Sequence, residues 1–187
     1  MLLISMSTSL DGFTADRTGD FSWGAPDEEL FRFHLDTVRG LGACLCGRRL
    51  YETMLPWETD PLMRENALGA EFADVWAALP KIVFSRSLDQ VQGNARLAQR
   101  ALAEEIPAVL AATEQDVEIG GPTLAAQAVE LGLVEEYQIF RHPIILGGGT
   151  PLLPPVDEAV PLELVESRVF GGRVVYERYR RAEGSRG

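Results

Sequence analysis

Positive charge is scarce in this sequence. Its 187 residues carry 28 Asp and Glu against 17 Lys and Arg, a formal net charge of −11. Because attraction to nucleic-acid phosphates needs a basic surface, this balance disfavours nonspecific nucleic-acid binding. No apolar run approaches the roughly 20 residues that span a membrane, and the first residues lack the basic stretch of a signal peptide. We therefore expect neither nucleic-acid nor membrane partners.

Cysteine and histidine are almost absent. Cys44 and Cys46 are the only cysteines, and a disulfide across so short a loop would be strained. With no His or further Cys nearby they also make a poor metal site, so no metal centre is predicted. We interpret them as reduced core residues, which fits a cytoplasmic location. His34 is predicted to pack on a helix, and His142 to belong to a strand without an assigned role.

Two common phosphate-binding motifs are missing. There is no G-x-x-x-x-G-K-[ST], which disfavours a nucleoside-triphosphatase loop. There is no G-x-G-x-x-G after the first predicted strand, so the ordinary dinucleotide fingerprint is absent as well. A nicotinamide cofactor could still lie across the edge of a sheet, with its phosphates shared between several loops.

Strands and helices alternate along most of the chain, which predicts an α/β fold with a mostly parallel sheet. The last strands follow one another without a helix, so antiparallel strands are expected there, with a hairpin turn at Gly171-Gly172. One domain is predicted over residues 1–181, followed by a frayed tail at 182–187, and residues 147–161 are predicted to be a loop. Predicted strands are 2–10, 43–47, 81–85, 95–99, 116–120, 135–146 and 162–180. Predicted helices are 26–41, 48–55, 71–79, 101–113 (with a break or shift at Pro107 as the alternative) and 122–131, with Gly132 as C-cap.

Small, hydroxyl-bearing and arginine residues follow the predicted parallel strands. In an open parallel sheet the carboxyl ends of the strands share one edge, where ligands bind. Guanidinium groups match phosphate geometry, and hydroxyls add neutral donors. Each arginine alone could equally be a solvated surface charge, but together they favour a phosphate site. The segments that follow these strands are Ser9-Leu10-Asp11-Gly12, Gly47-Arg48-Arg49, Ser85-Arg86-Ser87 and Gly120-Gly121-Pro122-Thr123.

Four segments, in this order and spacing, resemble the reductase domain of riboflavin biosynthesis and its dihydrofolate-reductase-like relatives. They are "SLDGFTA" (9–15), "CGRRLYE" (46–52), "KIVFSRSL" (81–88) and "EIGGPTLAAQAVELGLVEEYQIFRHPIILGGGTPLL" (118–153). The resemblance covers nearly the whole chain. It implies a three-layer α/β/α dihydrofolate-reductase-like fold, NADPH as hydride donor, and a pteridine- or aminopyrimidine-like heterocycle as acceptor.

The resemblance also implies cofactor contacts. Gly47, Arg48 and Arg49 resemble a pyrophosphate contact, and Ser85, Arg86 and Ser87 resemble the segment that meets the adenosine 2′-phosphate. The Gly120-Gly121 peptide, often cis in such folds, is expected to lie against the nicotinamide and its ribose phosphate. The complete implied set is Ala15, Gly47, Arg48, Arg49, Ser85, Arg86, Ser87, Ile119, Gly120, Gly121, Pro122, Thr123 and Leu124.

The acceptor site is expected around Asp11, whose carboxylate could bind an aminopyrimidine or help to protonate it. Asp-Gly is also a common turn pair, so a structural role for Asp11 and Gly12 is the alternative. Trp23, Tyr51 and Trp57 could stack on an aromatic acceptor, or could equally be core or rim aromatics. Dihydrofolate reductases carry a carboxylate on their first helix, where this sequence offers Asp27, Glu28, Glu29 and Asp36.

The predicted function is NADPH-dependent hydride transfer to such a heterocycle, in the manner of 5-amino-6-(5-phosphoribosylamino)uracil reductase or dihydrofolate reductase. The sequence has no deaminase segment with H-x-E and C-x-x-C. Two alternatives stay open: a catalytically silent nucleotide- or pterin-binding sensor or carrier, and a sugar-phosphate or nucleotide enzyme using the same basic loops. "LGGGT" (146–150) could bind phosphate or form a turn. The late strands suggest a homodimer.

Overall fold

The computed structural model describes residues 1–182, and the predicted frayed tail lies outside them except for Ala182. Within these residues two 3₁₀ turns, Ser22–Gly24 and Pro61–Arg64, join the regular elements. The strands are β1 (Leu2–Thr8), β2 (Phe13–Ala15), β3 (Leu41–Gly47), β4 (Lys81–Phe84), β5 (Ala95–Leu97), β6 (Asp116–Gly120), β7 (Glu136–Arg141), β8 (Thr150–Pro151), β9 (Leu162–Phe170) and β10 (Val174–Arg181). The helices are α1 (Glu28–Arg39), α2 (Arg48–Met54), α3 (Pro56–Thr59), α4 (Ala67–Ala78), α5 (Leu102–Leu110) and α6 (Pro122–Glu130).

Eight strands form one sheet in the order β5-β4-β3-β6-β1-β7-β10-β9. All neighbours are parallel up to β7, after which β10 and β9 are antiparallel to their neighbours. Gly171 and Gly172 form the β9–β10 turn with φ of 55° and 66°, the left-handed region that glycine enters without steric cost. The predicted mostly parallel α/β sheet with antiparallel C-terminal strands is confirmed.

Helices cover both faces of the sheet, because alternate strand residues point to opposite sides. Leu2 and Ile4 of β1 pack in the core under α5 and α6, whereas Leu3 packs in the core under α1, α2 and α4. A third cluster at the β7–β10–β9 end gathers Leu30 and Phe140 with the aromatic residues of the hairpin. This is the three-layer arrangement that the resemblance implied.

Helix boundaries follow side-chain caps that periodicity alone does not locate. Asp27 caps α1 by accepting a hydrogen bond of 2.9 Å from the backbone of Leu30. Asn66 caps α4 through Gly69, so this helix begins four residues before the predicted start at residue 71. Helix α5 continues through Pro107 but ends at Leu110, three residues before the predicted end. The short β2–β8 ribbon was not predicted, because two or three residues give no alternation to detect.

Lys81, the only lysine of the sequence, is buried at the start of β4. Its Nζ lies 2.9 Å from the Glu58 carboxylate and donates to the carbonyls of Trp76 and Leu79 at 2.6 and 2.9 Å. The ammonium also lies 5.0 Å from the Trp76 ring centroid. A buried charge is tolerated when every donor is satisfied, and this one ties α3 and the end of α4 to the sheet.

Lys81→Met is expected to lower the free energy of unfolding by about 3 kcal/mol, because it leaves the Glu58 carboxylate buried without a partner. Urea denaturation followed by circular dichroism measures this. The double variant Lys81→Met/Glu58→Leu is the matched control and is expected to recover most of the loss. Equal losses in the single and double variants would contradict the assignment.

Candidate functional site

A cleft of about 960 Å³ opens at the carboxyl edge of the parallel strands. It lies where the sheet divides. Strand β1 pairs with β7 from Leu3 to Thr8, but its pairing with β6 ends at Leu3 and Glu118. Strand β6 continues along β3 as far as Gly120. The two central strands therefore separate beyond Glu118, and we call this point the fork.

Four arginines line one end of the cleft. Arg48 and Arg49 stand in the first turn of α2, Arg86 follows β4, and Arg100 follows β5. Their side chains are exposed, in a chain whose net charge is −11. Such a concentration of guanidinium groups favours an anionic ligand with several phosphate oxygens.

Hydrogen bonds fix the loops that carry these arginines. Arg48 donates from Nε to Glu52 at 2.7 Å and from Nη1 to the Ser87 hydroxyl at 2.8 Å. The Ser85 hydroxyl accepts from the backbone N–H groups of Ser87 and Leu88 at 3.1 and 3.0 Å, which closes a tight turn. The loop after β4 is thus held against α2.

Arg100 was not among the predicted site residues. The loop that carries it is organised by the buried Glu105, which pairs with Arg96 and accepts from the backbone N–H groups of Gln99 and Arg100. The short strand before "AQR" gives no periodic pattern. An arginine directly after a predicted parallel strand is nevertheless the feature that could have identified Arg100 as a site residue.

Gly120 and Gly121 lie in the cleft, between the arginines and the fork. A Cβ at Gly120 would collide with the Leu50 side chain, and Gly121 has φ of 88°. Within residues 1–182 every peptide bond is trans, so the expected cis bond between the two glycines is not observed. The positive φ of Gly121 already turns the chain from β6 into Pro122 and α6.

Hydroxyl and aromatic side chains form the opposite end of the cleft. Ser5 and Ser7 of β1, Phe21, Trp23 and Gly24 line it. Phe21 is 52% exposed, and the Trp23 indole donates a hydrogen bond to the Asp20 carbonyl. A flat ring with polar edges is the ligand that such a wall fits.

The two histidines of the chain lie behind this wall. His142 is buried, with Nε2 3.2 Å from the Ser7 hydroxyl and its ring edge-on to Trp23. Burial, followed by the charge of Arg173, lowers the pKa of His142. Burial, followed by the charge of His142, lowers the pKa of His34 to about 4. His34 packs on Phe140, as a packed helix histidine was predicted to do.

Glu118 is the one carboxylate that lines the cleft among the described residues. It stands in the middle of the sheet, half-buried, with Leu3 and Cys44 as its neighbours on the flanking strands. Burial raises the pKa of its carboxyl from the ordinary value of 4.5 to about 7. Glu118 was not among the predicted site residues. The sequence feature that could have identified it is an acid inside a short apolar strand, two residues before the glycine pair.

The predicted catalytic residue, Asp11, lies outside the cleft with its neighbour Gly12. Its exposed carboxylate accepts hydrogen bonds from the Ser9 hydroxyl at 2.7 Å and from the backbone N–H groups of Leu146 and Gly147 at 3.1 and 2.7 Å. The Ser9 bond is the main reason that the pKa of Asp11 is lowered. Asp11 therefore anchors the loop at 146–147, and the structure does not bring it together with the residues that line the cleft.

Two predicted stacking aromatics are core residues. The Tyr51 hydroxyl accepts from the backbone of Gln92 at 2.9 Å, and its ring is buried under the sheet. Trp57 packs between Phe31 and Phe72, at centroid distances of 5.6 and 4.6 Å. Neither lines the cleft, so the structure does not bring them together with Trp23.

The remaining predicted residues divide in the same way. Ile119 is fully buried in the core under α5 and α6, so its side chain does not line the cleft. Ser87 reaches the cleft only through its bond to Arg48. In the "LGGGT" segment the Gly147 carbonyl is bound by Arg17, and Thr150 lines the cleft. The predicted residues that do line it are Ala15, Trp23, Gly47, Arg48, Arg49, Ser85, Arg86, Gly120, Gly121, Pro122, Thr123 and Leu124.

Among residues 1–182, no group of three His, Cys, Asp or Glu side chains is placed to hold a metal ion. Cys44 and Cys46 are free and buried, as predicted. In the same part of the chain, no helix combines the length and the apolar character needed to cross a membrane.

The sheet order is that of the dihydrofolate-reductase-like α/β fold. The model of the RibD C-terminal domain matches residues 1–176, and the chain belongs to that family. It is 26% identical over 185 residues to the uncharacterized protein YyaP of Bacillus subtilis (strain 168), covering 93% of this chain and 91% of that protein.

Solved structures share the fold. A putative riboflavin biosynthesis protein from Shewanella sp. PV-4 superposes with a TM-score of 0.76 at 22% identity, covering 97% of this chain and 99% of that one. Dihydrofolate reductase from Enterococcus faecalis, solved with NADP(H), gives a TM-score of 0.63 at 18% identity, covering 98% and 97%. At these sequence identities the similarity establishes the fold alone. The ligands bound by those proteins are not thereby assigned to this one.

The raised pKa of Glu118 predicts how stability depends on pH. Between pH 4.5 and about 7 the folded state holds a proton that the unfolded state releases, so stability falls as pH rises through this window. Glu118→Gln removes that cost. We expect it to be neutral near pH 4 and to stabilise by on the order of 2 kcal/mol at pH 8, after allowance for partial solvent exposure.

Thermal unfolding of both proteins across pH 4 to 8 measures this difference. Glu114→Gln, an exposed change just before β6, is the matched control and is expected to follow the wild-type protein at every pH. A constant offset between Glu118→Gln and the wild-type protein would contradict the raised pKa.

Proposed function

We propose that the protein is an NADPH-dependent reductase that transfers hydride to a pteridine- or aminopyrimidine-like heterocycle. One observation carries the proposal: a single cleft joins an arginine-rich end, a glycine pair and an aromatic, hydroxyl-bearing end at the fork of the sheet. Hydride transfer needs two rings held face to face and shielded from water, and it requires no dedicated nucleophile. Membership of the RibD C-terminal domain family supports this reaction class.

The cofactor is proposed to lie along the carboxyl ends of β3, β4 and β6. Arg48 and Arg49, with the backbone of Gly47, suit the pyrophosphate. Arg86 with Ser85 suits the 2′-phosphate, and Ser87 would position Arg48. Arg100 extends the same basic end of the cleft. A guanidinium group can bind two oxygens of one phosphate. The assignment of Arg86 to the 2′-phosphate, which NADH lacks, favours NADPH over NADH.

The nicotinamide is proposed to rest against Gly120 and Gly121, where an absent Cβ leaves the backbone accessible. Pro122, Thr123 and Leu124 begin α6 beside it, and Ala15 borders the cleft from the β2–β8 ribbon. The Ile119 contribution is limited to its backbone, since its side chain is buried. The acceptor is then placed between Trp23 and the serines of β1, at the opposite end from the phosphates.

Mixing the protein with NADPH and a panel of dihydropterins and aminopyrimidines, and following the cofactor absorbance, tests the proposal. Oxidation of NADPH that depends on an acceptor supports it. Tight NADPH binding without oxidation across the panel would instead favour a sensor or carrier. Binding of ribose phosphates in preference to NADPH in thermal-shift experiments would favour a sugar-phosphate enzyme.

Arg86→Ala is expected to weaken NADPH binding by about 10-fold or more and to change NADH binding by less than about twofold, because only NADPH carries the 2′-phosphate. Fluorescence titration of both cofactors measures this. Arg32→Ala, an exposed change on α1, is the control and is expected to alter neither affinity. Equal weakening for both cofactors would remove the 2′-phosphate assignment.

The edge of the sheet supports a homodimer. Strand β9 is the last strand of the sheet, and it exposes Leu164, Val165 and Val169 by 59, 42 and 57%. An edge strand with unpaired backbone groups and apolar side chains is suited to pair with a second copy about a twofold axis. The reduced, buried cysteines fit the cytoplasmic location that we propose for it.

Leu164→Lys combined with Val169→Lys is expected to convert the dimer to a monomer, because two ammonium groups would meet their copies near the twofold axis. Light scattering after size exclusion measures the mass. Val156→Lys, at an exposed position outside β9, is the control and is expected to leave the mass unchanged. A monomeric wild-type protein would refute the dimer.

A further inference from the structure

Glu118 occupies a singular position in the sheet. It is the last residue of β6 that pairs with β1, so its backbone closes the fork and its side chain stands at the base of the opening. Because register partners on neighbouring strands project to the same side, its carboxyl shares a face with Leu3 and Cys44. A Cβ built on Gly120 would lie 3.8 Å from its Oε1, so the carboxyl is next to the glycine pair.

No structural interaction accounts for this acid. Within residues 1–182 its carboxyl makes no hydrogen bond and lies in no ion pair, although the side chain is half-buried in the centre of a sheet. A desolvated carboxyl without a partner lowers stability, so a fold has no packing reason to hold one there. Other buried or half-buried carboxylates of the sheet are paired: Glu136 with Arg180, and Glu177 with Arg141.

The groups around Glu118 favour the protonated form of its carboxyl. Strand β3 presents the thiols of Cys44 and Cys46, and β1 presents only Leu3 and the uncharged hydroxyls of Ser5 and Ser7. Helix α2 presents Leu50, which covers Gly120. The cleft arginines, two of them on α2, are not within 4.0 Å of its carboxylate, since no ion pair forms. Burial alone sets the raised pKa of about 7.

We infer that Glu118 is the acid that protonates the acceptor when hydride is transferred, an assignment that rests on the proposed reductase function. NADPH, when bound, would supply a hydride to the carbon of an acceptor C=N bond. The electron pair of that bond would move to the nitrogen, to which the Glu118 carboxyl would give its proton. The balance would be NADP⁺, the reduced amine and the Glu118 carboxylate, which would regain a proton from water in the open cleft.

The acceptor class follows from this geometry. It is a flat heterocycle with a C=N bond, small enough for its ring nitrogen to reach the base of the fork while its face rests on the dihydronicotinamide. The other edge of the ring meets the hydroxyls of Ser5 and Ser7 and the Trp23 ring. An acceptor whose reducible bond lies far from the ring edge does not bring its nitrogen to Glu118.

The alternative acids are committed elsewhere. On α1, Asp27 caps the helix through Leu30, and Glu29 accepts from the backbone of Gly171. Glu28 pairs with Arg32, and Asp36 pairs with Arg39. All four carboxylates are exposed, and none lines the cleft. Asp11 anchors the loop at 146–147, and His142 is separated from the cleft by Ser7, Trp23 and Gly24.

Glu118→Gln keeps the shape of the side chain and removes the acid. With NADPH and 7,8-dihydropterin or 7,8-dihydrofolate as probes, we expect single-turnover hydride transfer to slow by about 100-fold or more, while the Kd for NADPH changes by less than about twofold. The wild-type rate is expected to fall as pH rises through about 7, and the variant rate is expected to be flat there. Glu118→Asp is expected to keep a pH-dependent rate at a reduced level, and Glu114→Gln to match the wild-type protein.

The outcomes separate this inference from the proposed function. Reduction of a probe by Glu118→Gln at the wild-type rate and with the wild-type pH profile overturns the role of Glu118 and leaves the reductase standing. Binding of NADPH without oxidation by either probe in the wild-type protein overturns the proton donor and leaves the cofactor site. Absence of NADPH binding removes the reductase itself, and the inference with it.

Discussion

Backbone hydrogen bonds decide where this protein has room for a ligand. Strand β1 stays paired with β7 along its whole carboxyl half, and β6 stays paired with β3 to its last residue, whereas β1 and β6 pair with each other only as far as Leu3 and Glu118. Beyond Leu3 and Glu118 each strand turns an unpaired backbone edge toward the other. Peptide groups without a partner in the sheet are available to hydrogen-bond a ligand that enters the fork. The cleft is thus a gap between two strands that stop pairing, and the loops form its remaining walls.

The two ends of the cleft differ in charge. At the outer end, the guanidinium groups stand in water, where Arg48 is pre-oriented by Glu52 and Ser87. Pre-orientation reduces the side-chain conformational entropy that is lost when a phosphate binds. At the inner end, Glu118 is held among apolar groups and thiols, and its proton is favoured by desolvation. The same cleft therefore has fixed positive charge at one end and a carboxyl of raised pKa at the other.

The sequence predicted the parts of this arrangement that follow from local rules. Strand–helix alternation located the parallel sheet, and its shared carboxyl edge brought Arg48, Arg86 and the glycine pair together. Local rules could not identify which neighbouring strands separate, because pairing is set by contacts between distant segments. The roles of Ser5, Ser7 and Glu118 depend on that separation. Asp11, Tyr51 and Trp57 lie outside the cleft for a related reason: each contacts a residue remote in sequence that holds its side chain away from the cleft.

Burial of the single lysine has a consequence for the chemistry of the molecular surface. With Lys81 enclosed by Glu58 and the end of α4, every exposed side-chain cation of the described residues is a guanidinium. Guanidinium groups keep their charge at any physiological pH, and lysine acetyltransferases do not modify them. The positive charge of the cleft is consequently insensitive to acylation, and amine-directed crosslinkers find no side-chain target on the folded protein.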